Sequence, residues 1–382
     1  MQHRFPGVRD GWARFDGPAG TQMVDVAIDA MSDFLRSGDN ANGHGVFAAS
    51  HATEAIVAAS RHSVGRFLGA DADAVVFGPN MTSLSFAFTR AVGHTLCEGD
   101  EIVCTRLDHD ANVTPWVLAA RDAGARVVFA EFDTKTGRLP VDAIASVLTD
   151  RTRWVAVTGA SNAIGTMPDI TAITAAAHAA GARVLVDAVH LTPHQPVDIA
   201  AIGCDVLLCS PYKWYGPHAG VLCGRREVLE AIVPYKVRPA SDAVPDRYET
   251  GTPSFEAIVA IGATAEFLLG FGMADLAAHE AALFAPLLEG LLATDGVRVY
   301  GPRDTAARTP TVAFTVDGHS PEDVAKQLAA ERIAVWSGDY YAVEAMTALG
   351  LAKTGAVRAG VACYTTPDDV DRLLSAVGTI AR

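Results

Sequence analysis

The sequence predicts an α/β fold: a large domain on a mainly parallel, doubly covered sheet, then a small α+β carboxyl-terminal lobe. Three observations predict it. Short apolar runs at 101–105, 126–132, 153–158, 183–187 and 205–209 recur with helical residues between them, the β-then-α alternation of a parallel sheet. Several runs exit into polar, Gly- or Asn-rich turns, as strands do where an open sheet binds ligands. From Arg225 the alternation loosens, and the remainder mixes strands and helices. The expected division is an amino-terminal segment 1–14, a large domain 15–264 and a small domain 265–382.

In chain order, Phe15-Asp-Gly-Pro-Ala-Gly-Thr-Gln22 is a turn-rich entry loop, and helical spacing of apolar residues predicts a helix from about Val24 to Leu35. Asp39 to Gly45 is too rich in Asn and Gly for a helix; its His44 is either a substrate contact or an exposed loop histidine. Residues 51–68 read as an amphipathic helix. Ala74 to Ser83 runs from a strand through Gly-Pro-Asn into a helix start, with Thr82 and Ser83 ahead of the apolar stretch Leu84 to Val92. Free N–H groups and hydroxyls there suit a phosphate, and an ordinary Ser/Thr cap explains them equally. The strand Glu101 to Thr105 leads through Arg106-Leu-Asp-His-Asp-Ala-Asn112 to a helix over Val113–Ala123. His109 at that exit has a flat ring able to stack on a planar cofactor. Asn162, in Thr158-Gly-Ala-Ser-Asn-Ala-Ile-Gly165, either bonds a ring hydroxyl or builds the turn.

Tyr248 to Ser254 is an extended loop, and a helix from about Ile258 to Leu269 leads into the small lobe. The lobe reads as a helix over 275–293, strands at 297–300 and 310–316, and a helix at 321–331. Ile333 to Tyr341, a helix near 342–350, a strand 356–363 and a helix 367–380 complete it. Arg358 lies in the last apolar strand. A buried arginine wants a carboxylate, either a substrate's or the chain's own.

The chemistry centres on Asp205-Val-Leu-Leu-Cys-Ser-Pro-Tyr-Lys-Trp-Tyr-Gly-Pro217. Ser-Pro ends a buried strand, so Lys213 sits just past a carboxyl-terminal edge. It is one of only five lysines, and the others occupy polar or helical contexts. Desolvation among aromatics favours the neutral amine that carbonyl condensation needs, and a surface lysine after a core strand is the plainer reading. Upstream, Ala182-Arg-Val-Leu-Val-Asp-Ala-Val-His190 is a second apolar strand, ending in Asp187. A buried acid is costly without a cationic partner. The ring nitrogen of pyridoxal phosphate is one such partner, and a turn or cap is the plainer role. Leu191 to Cys204 has room for a helix between two parallel neighbours, which would aim Asp187 and Lys213 into one crevice.

A net charge of −14 and the lack of any Lys/Arg block argue against nucleic acid and anionic membranes as partners. No run of about 18 uninterrupted apolar residues occurs, and the first residues have no signal-peptide core, so the expectation is a cytoplasmic protein. The six cysteines (Cys97, Cys104, Cys204, Cys209, Cys223, Cys363) form no CxxC pair, and no metal site is expected. There is no internal repeat.

On these residues the chain resembles the class V aminotransferase family, in particular its group of SUF-type cysteine desulfurases and selenocysteine lyases. The similarity runs from Phe15 to the last helix and rests on strand-exit motifs in the family's order. It implies pyridoxal-phosphate-dependent transferase fold type I, whose large domain carries a mainly parallel seven-stranded sheet, and a homodimer with a shared active site. It implies Lys213, in Ser-x-x-Lys-x-Tyr-Gly-Pro, as the lysine that carries the cofactor and then serves as base. Asp187 is implied at the ring nitrogen, His109 over the ring and Asn162 on the cofactor's side. Met81 and Thr82, in Gly-Pro-Asn-Met-Thr, and Ser210 are implied as cofactor contacts, the last two at the phosphate. Thr252, in Gly-Thr-Pro, is implied to reach the phosphate across the dimer, and Arg358 to hold the substrate carboxylate.

Three positions depart from the desulfurase pattern. His190 stands where desulfurases carry glutamine near the ring oxygen, as in epimerase-like relatives. Tyr212 replaces a histidine before the lysine. Tyr341, in Val335-Trp-Ser-Gly-Asp-Tyr-Tyr-Ala342, takes the place of the persulfide cysteine. The expected activity is therefore C–S bond cleavage by β-elimination on a small α-amino acid, without that cysteine. Transamination or isopenicillin-N-epimerase-like racemisation is the alternative, and a non-catalytic cofactor-binding regulator a further one. Tyr340, Tyr341 and Asp339 become candidate proton donors on the substrate side.

Overall fold

A computed structural model describes all 382 residues. Its strands, in chain order, are β1 (Ala13–Arg14), β2 (Val75–Gly78), β3 (Glu101–Thr105), β4 (Arg126–Ala130), β5 (Thr152–Thr158), β6 (Arg183–Asp187) and β7 (Val206–Cys209). There follow β8 (Gly220–Gly224), β9 (Val297–Tyr300), β10 (Thr311–Val316), β11 (Ile333–Ala334), β12 (Trp336–Gly338) and β13 (Ala356–Gly360).

Seven strands make the large sheet in the order β2-β8-β7-β6-β5-β3-β4, and β8 alone runs antiparallel to its neighbours. The central strands β3, β5, β6 and β7 are almost wholly buried, as β-branched and leucine-rich runs covered on both faces must be. Val157, Val184 and Leu207 face one core layer; Ala156, Leu185 and Leu208 face the other. The order reverses so that β6 lies between β5 and β7, bringing the exits of β3, β5, β6 and β7 together at one edge. That edge carries the site.

The small sheet is antiparallel, in the order β12-β13-β10-β9. The helix Met273–Ala293 buries Leu276, Leu283, Phe284, Leu287 and Leu291, most of them in the core of this lobe, which explains an apolar composition that would also suit a membrane span. The helix Phe255–Phe271 packs on Asp25–Arg36 and Ala48–Leu68, and the expected 264/265 boundary falls within it. The amino-terminal strand β1 crosses to the small lobe and pairs with β11.

Several expectations need correction. β8 was not foreseen: Gly220-Val-Leu-Cys-Gly224 is five residues bracketed by glycine, and only its neighbours on both sides make it a strand. Leu191 to Cys204 holds just one helical turn, Ile199–Ile202, because Pro193 and Pro196 interrupt the stretch before it and leave it in turns. The last strand stops at Gly360 rather than residue 363, where Gly360 and Val361 bond to Phe15 and Pro310 instead of continuing a ladder.

Candidate active site

Asp187 is the last residue of β6, and Lys213 ends a single turn, Pro211–Lys213, just after β7. Pro211 starts that turn because its fixed φ suits a first helical position and its missing N–H costs nothing there. Both side chains line one cavity opening onto about 460 Å³ of empty space. Met81, Thr82 and His109 line it from one side, Asn162, His190, Ser210 and Tyr212 from the others.

Lys213 is 8% exposed, and its Nζ donates to the Pro18 carbonyl of the entry loop. Burial and then the Arg358 charge hold its pKa well below the ordinary lysine value, with Asp187 opposing them. Its Nζ lies 5.2 Å from the centre of the Tyr212 ring, which stacks on His218 at 5.1 Å. Asp187 accepts the Val189 N–H at 2.9 Å, yet burial raises its carboxyl to about 6. Asp108, deeper still, is pushed up to about 8 by burial while it accepts from Thr105 and Asn112.

His109 accepts the Ala111 N–H at Nδ1 over 3.0 Å, so a neutral ring carries its proton on Nε2. Burial, then Lys213 and Arg358, lower its pKa to about 4. At the mouth, Tyr341 stands beside it, ring centres 5.7 Å apart, with 71% of its surface exposed. Asn80 caps the helix Met81–Gly93, accepting the Ser83 N–H at 2.8 Å, and leaves the preceding N–H groups of that first turn facing the cavity edge.

Arg358 reaches the site from β13 in the other lobe. Its Nη1 donates to the Asn162 carbonyl at 2.9 Å and its guanidinium lies 4.3 Å from the Tyr340 ring centre. No carboxylate of the chain pairs with it, its Nε has no partner, and burial brings its pKa down to about 10. Asn162 in turn donates from Nδ2 to the Tyr340 carbonyl at 2.9 Å, leaving Oδ1 unpaired.

His44 does not line this cavity, and neither does Thr252, whose expected contact is across a dimer and not within one chain. His44 is an exposed loop residue whose backbone N–H donates to Glu54, and Thr252 shares with it a separate surface cavity walled by Arg61 and Glu249. Within one chain neither reaches Lys213. Conversely, sequence reasoning missed Thr311, whose hydroxyl lies 3.0 Å from His190 Nε2. It also missed the buried pair His194–Glu280, at 2.7 Å, behind that histidine. Nothing local marks Thr311, whereas two histidines four apart, His190 and His194, were a readable sign of a shared face.

Comparison with known proteins gives the chain's family and fold. The family model for aminotransferase class V matches residues 14–373. A probable cysteine desulfurase of Mycobacterium leprae is 34% identical over 96% of this chain and 90% of its own length. A cysteine desulfurase of Pectobacterium atrosepticum is 32% identical over 97% and 93%. Among solved structures, the cysteine desulfurase of Thermococcus onnurineus superposes with a TM-score of 0.92 at 27% identity, covering 100% of this chain and 97% of that one. One from Escherichia coli gives 0.90, also at 27%, over 98% and 96%. Matching the family from residue 14 to residue 373, the chain belongs to the class V aminotransferases.

Proposed function

We propose that the chain is a pyridoxal-phosphate enzyme acting on a small α-amino acid, and that it cleaves the bond from the β-carbon to sulfur by elimination, with no cysteine of its own to receive the sulfur. The observation carrying this reading is the composition of the cavity: an amine and an acid line it, a buried arginine lies close enough to act on that amine, and no thiol lines it. Cys97, the one exposed cysteine, precedes β3 at the opposite edge of the sheet. Burial pushes the thiols of Cys204 and Cys209 up to about 12, far from the thiolate that attack on sulfur needs.

The residues present fit the cofactor. Asn162 Oδ1, His190 Nδ1 and Arg358 Nε are buried polar atoms without partners, a costly state unless something polar fills the space. Bound there, pyridoxal phosphate supplies an aldehyde that condenses with amines and a protonated ring that draws electrons from the substrate's α-carbon. In this reading Asp187 ionises opposite the ring nitrogen and keeps its proton in place. Lys213, kept neutral by burial, takes the proton from the α-carbon. Arg358 grips the substrate carboxylate with two parallel N–H bonds. The neutral ring of His109 covers the flat face and excludes water. The first N–H groups of the helix Met81–Gly93, with Thr82 and Ser210, receive the phosphate.

Thr252 and His44 fit a role supplied by a second copy. Their cavity is an open surface groove, and Val237 on its wall is 70% exposed, as a residue covered by a second copy would be in one chain alone. Six free thiols suit a reducing compartment.

The test is a product screen with cysteine, cysteine sulfinate and selenocysteine. Elimination from cysteine consumes one water and yields hydrogen sulfide, pyruvate and ammonia in equal amounts. Alanine, with sulfur left on the protein, overturns the reading. His190 in the place of glutamine favours a second reading, transamination or epimerisation; a keto acid or inverted amino acid without sulfide selects it.

A further inference from the structure

We propose that Thr311, a small-lobe residue, fixes the tautomer of His190, so that His190 presents an Nδ1–H donor to the cofactor's ring oxygen. The part about the ring oxygen rests on the cofactor reading above; the tautomer itself does not. Thr311 is fully buried at the start of β10, opposite Gly360 of β13. Its hydroxyl has a single hydrogen-bond partner, His190 Nε2 at 3.0 Å. A hydroxyl carries one proton, and a buried proton without an acceptor is expensive. Donating into Nε2 satisfies it. A neutral imidazole that accepts at Nε2 holds its own proton at Nδ1.

Nδ1 is the nitrogen left without a partner, and His190 lines the cavity. The reverse tautomer strands the Thr311 proton and turns a lone pair toward an oxygen that is anionic when the cofactor is bound. The groups facing His190 are His194, edge-on with ring centres 5.3 Å apart, and the basic side chains of Lys213 and Arg358; Asp187 and His109 line the same cavity. Burial and these basic neighbours hold the ring neutral, so it is a tautomer that is chosen and not a charge. His194 is pinned in turn through Nδ1 to Glu280. Thr311 is thus a positioning residue: it touches no reacting atom and acts through His190.

The test begins with NMR of isotope-labelled histidine, His190 being assigned by its loss in His190→Gln. In cofactor-free wild type, His190 is expected to show a protonated Nδ1 and a bare Nε2. Thr311→Ser should keep that pattern, and Thr311→Val should shift it toward a mixture. A mixed or Nε2-protonated ring in wild type overturns the proposal, whatever the variants do. In loaded protein, a donor to the ring oxygen favours the state in which that oxygen bears its full negative charge. Thr311→Val should therefore raise the pH midpoint of the visible absorbance by roughly half a unit. In a His190→Gln background it should add nothing, since an amide donates unaided. An equal shift in both backgrounds overturns the link to His190. A wild-type protein that takes up no visible chromophore overturns the cofactor reading instead, and the ring-oxygen half of this proposal with it, while the tautomer result stands or falls by itself.

Discussion

Lys213 and Asp187 differ in what burial does to them, and the difference is usable. Desolvation drives a lysine toward its neutral form and an acid toward its protonated one, so Lys213 is held neutral while Asp187 changes charge near pH 6. Lys213 is ready to condense with an aldehyde, and Lys213→Ala should lower turnover by roughly a hundredfold to ten-thousandfold, measured by product formation. The same variant should lose the visible absorbance that borohydride bleaches.

Asp187, raised to about 6, pairs with a ring nitrogen only once it has ionised. Cofactor affinity should accordingly rise as pH increases through about 6, and Asp187→Asn should flatten that slope in an absorbance titration. Stability of the cofactor-free protein runs the other way for this group. Its folded pKa lies above the ordinary 3.8, so its contribution is complete below that value and is lost as pH climbs through about 6.

At the scale of elements, the segment Gly338–Tyr341 bends over the site through residues that rarely adopt such a backbone. Tyr340 and Tyr341 have φ of 57° and 56°, a conformation costing a side-chain-bearing residue about 1–3 kcal/mol. The Asn162 amide holds the Tyr340 carbonyl, and the Asp110 N–H donates to the Tyr341 carbonyl at 2.7 Å. If the Tyr341 hydroxyl delivers a proton, Tyr341→Phe should lower kcat by about a hundredfold with KM little changed, because the ring beside His109 remains. Unchanged kinetics would remove the role.

A second element carries Thr252. The Glu249 carboxylate ahead of it accepts from Arg61 at 2.8 and 2.7 Å and from the Phe77 N–H at 2.7 Å. Glu249→Ala should destabilise the fold by about 1.5–3 kcal/mol in a denaturant titration. Elements of this length show how far periodicity reads. The helices 367–380 and 321–330 announce themselves through Thr366-Pro-x-Asp and Ser320-Pro-x-Asp starts. β8 carried no such mark.

At the scale of the molecule, two lobes meet at the site, and polar contacts tie them. Glu280, on a small-lobe helix, is 1% exposed and joins His194 at 2.7 Å to the Tyr215 hydroxyl at 3.1 Å. The same hydroxyl accepts the Cys363 N–H at 3.1 Å. Removing one member of such a buried set strands the others, so Glu280→Ala should cost about 3–5 kcal/mol of stability, read as a lower denaturation midpoint. Arg358 and Thr311 arrive at the cavity along the same junction, which makes lobe position part of the site's chemistry.

The large-sheet alternation and the strand exits bearing His109, Asn162, Asp187 and Lys213 were legible in the chain itself. Each depends on a run of neighbours in sequence: an apolar strand, a breaker, a polar residue beyond it. Strand order, the antiparallel insertion of β8, the pairing of Thr311 with His190 and the distance of His44 and Thr252 from Lys213 were decided only by the tertiary structure. The Thr311–His190 pair joins residues 121 positions apart, and β2 pairs with β8 across more than 140, where chain periodicity carries no information and only packing chooses the neighbour.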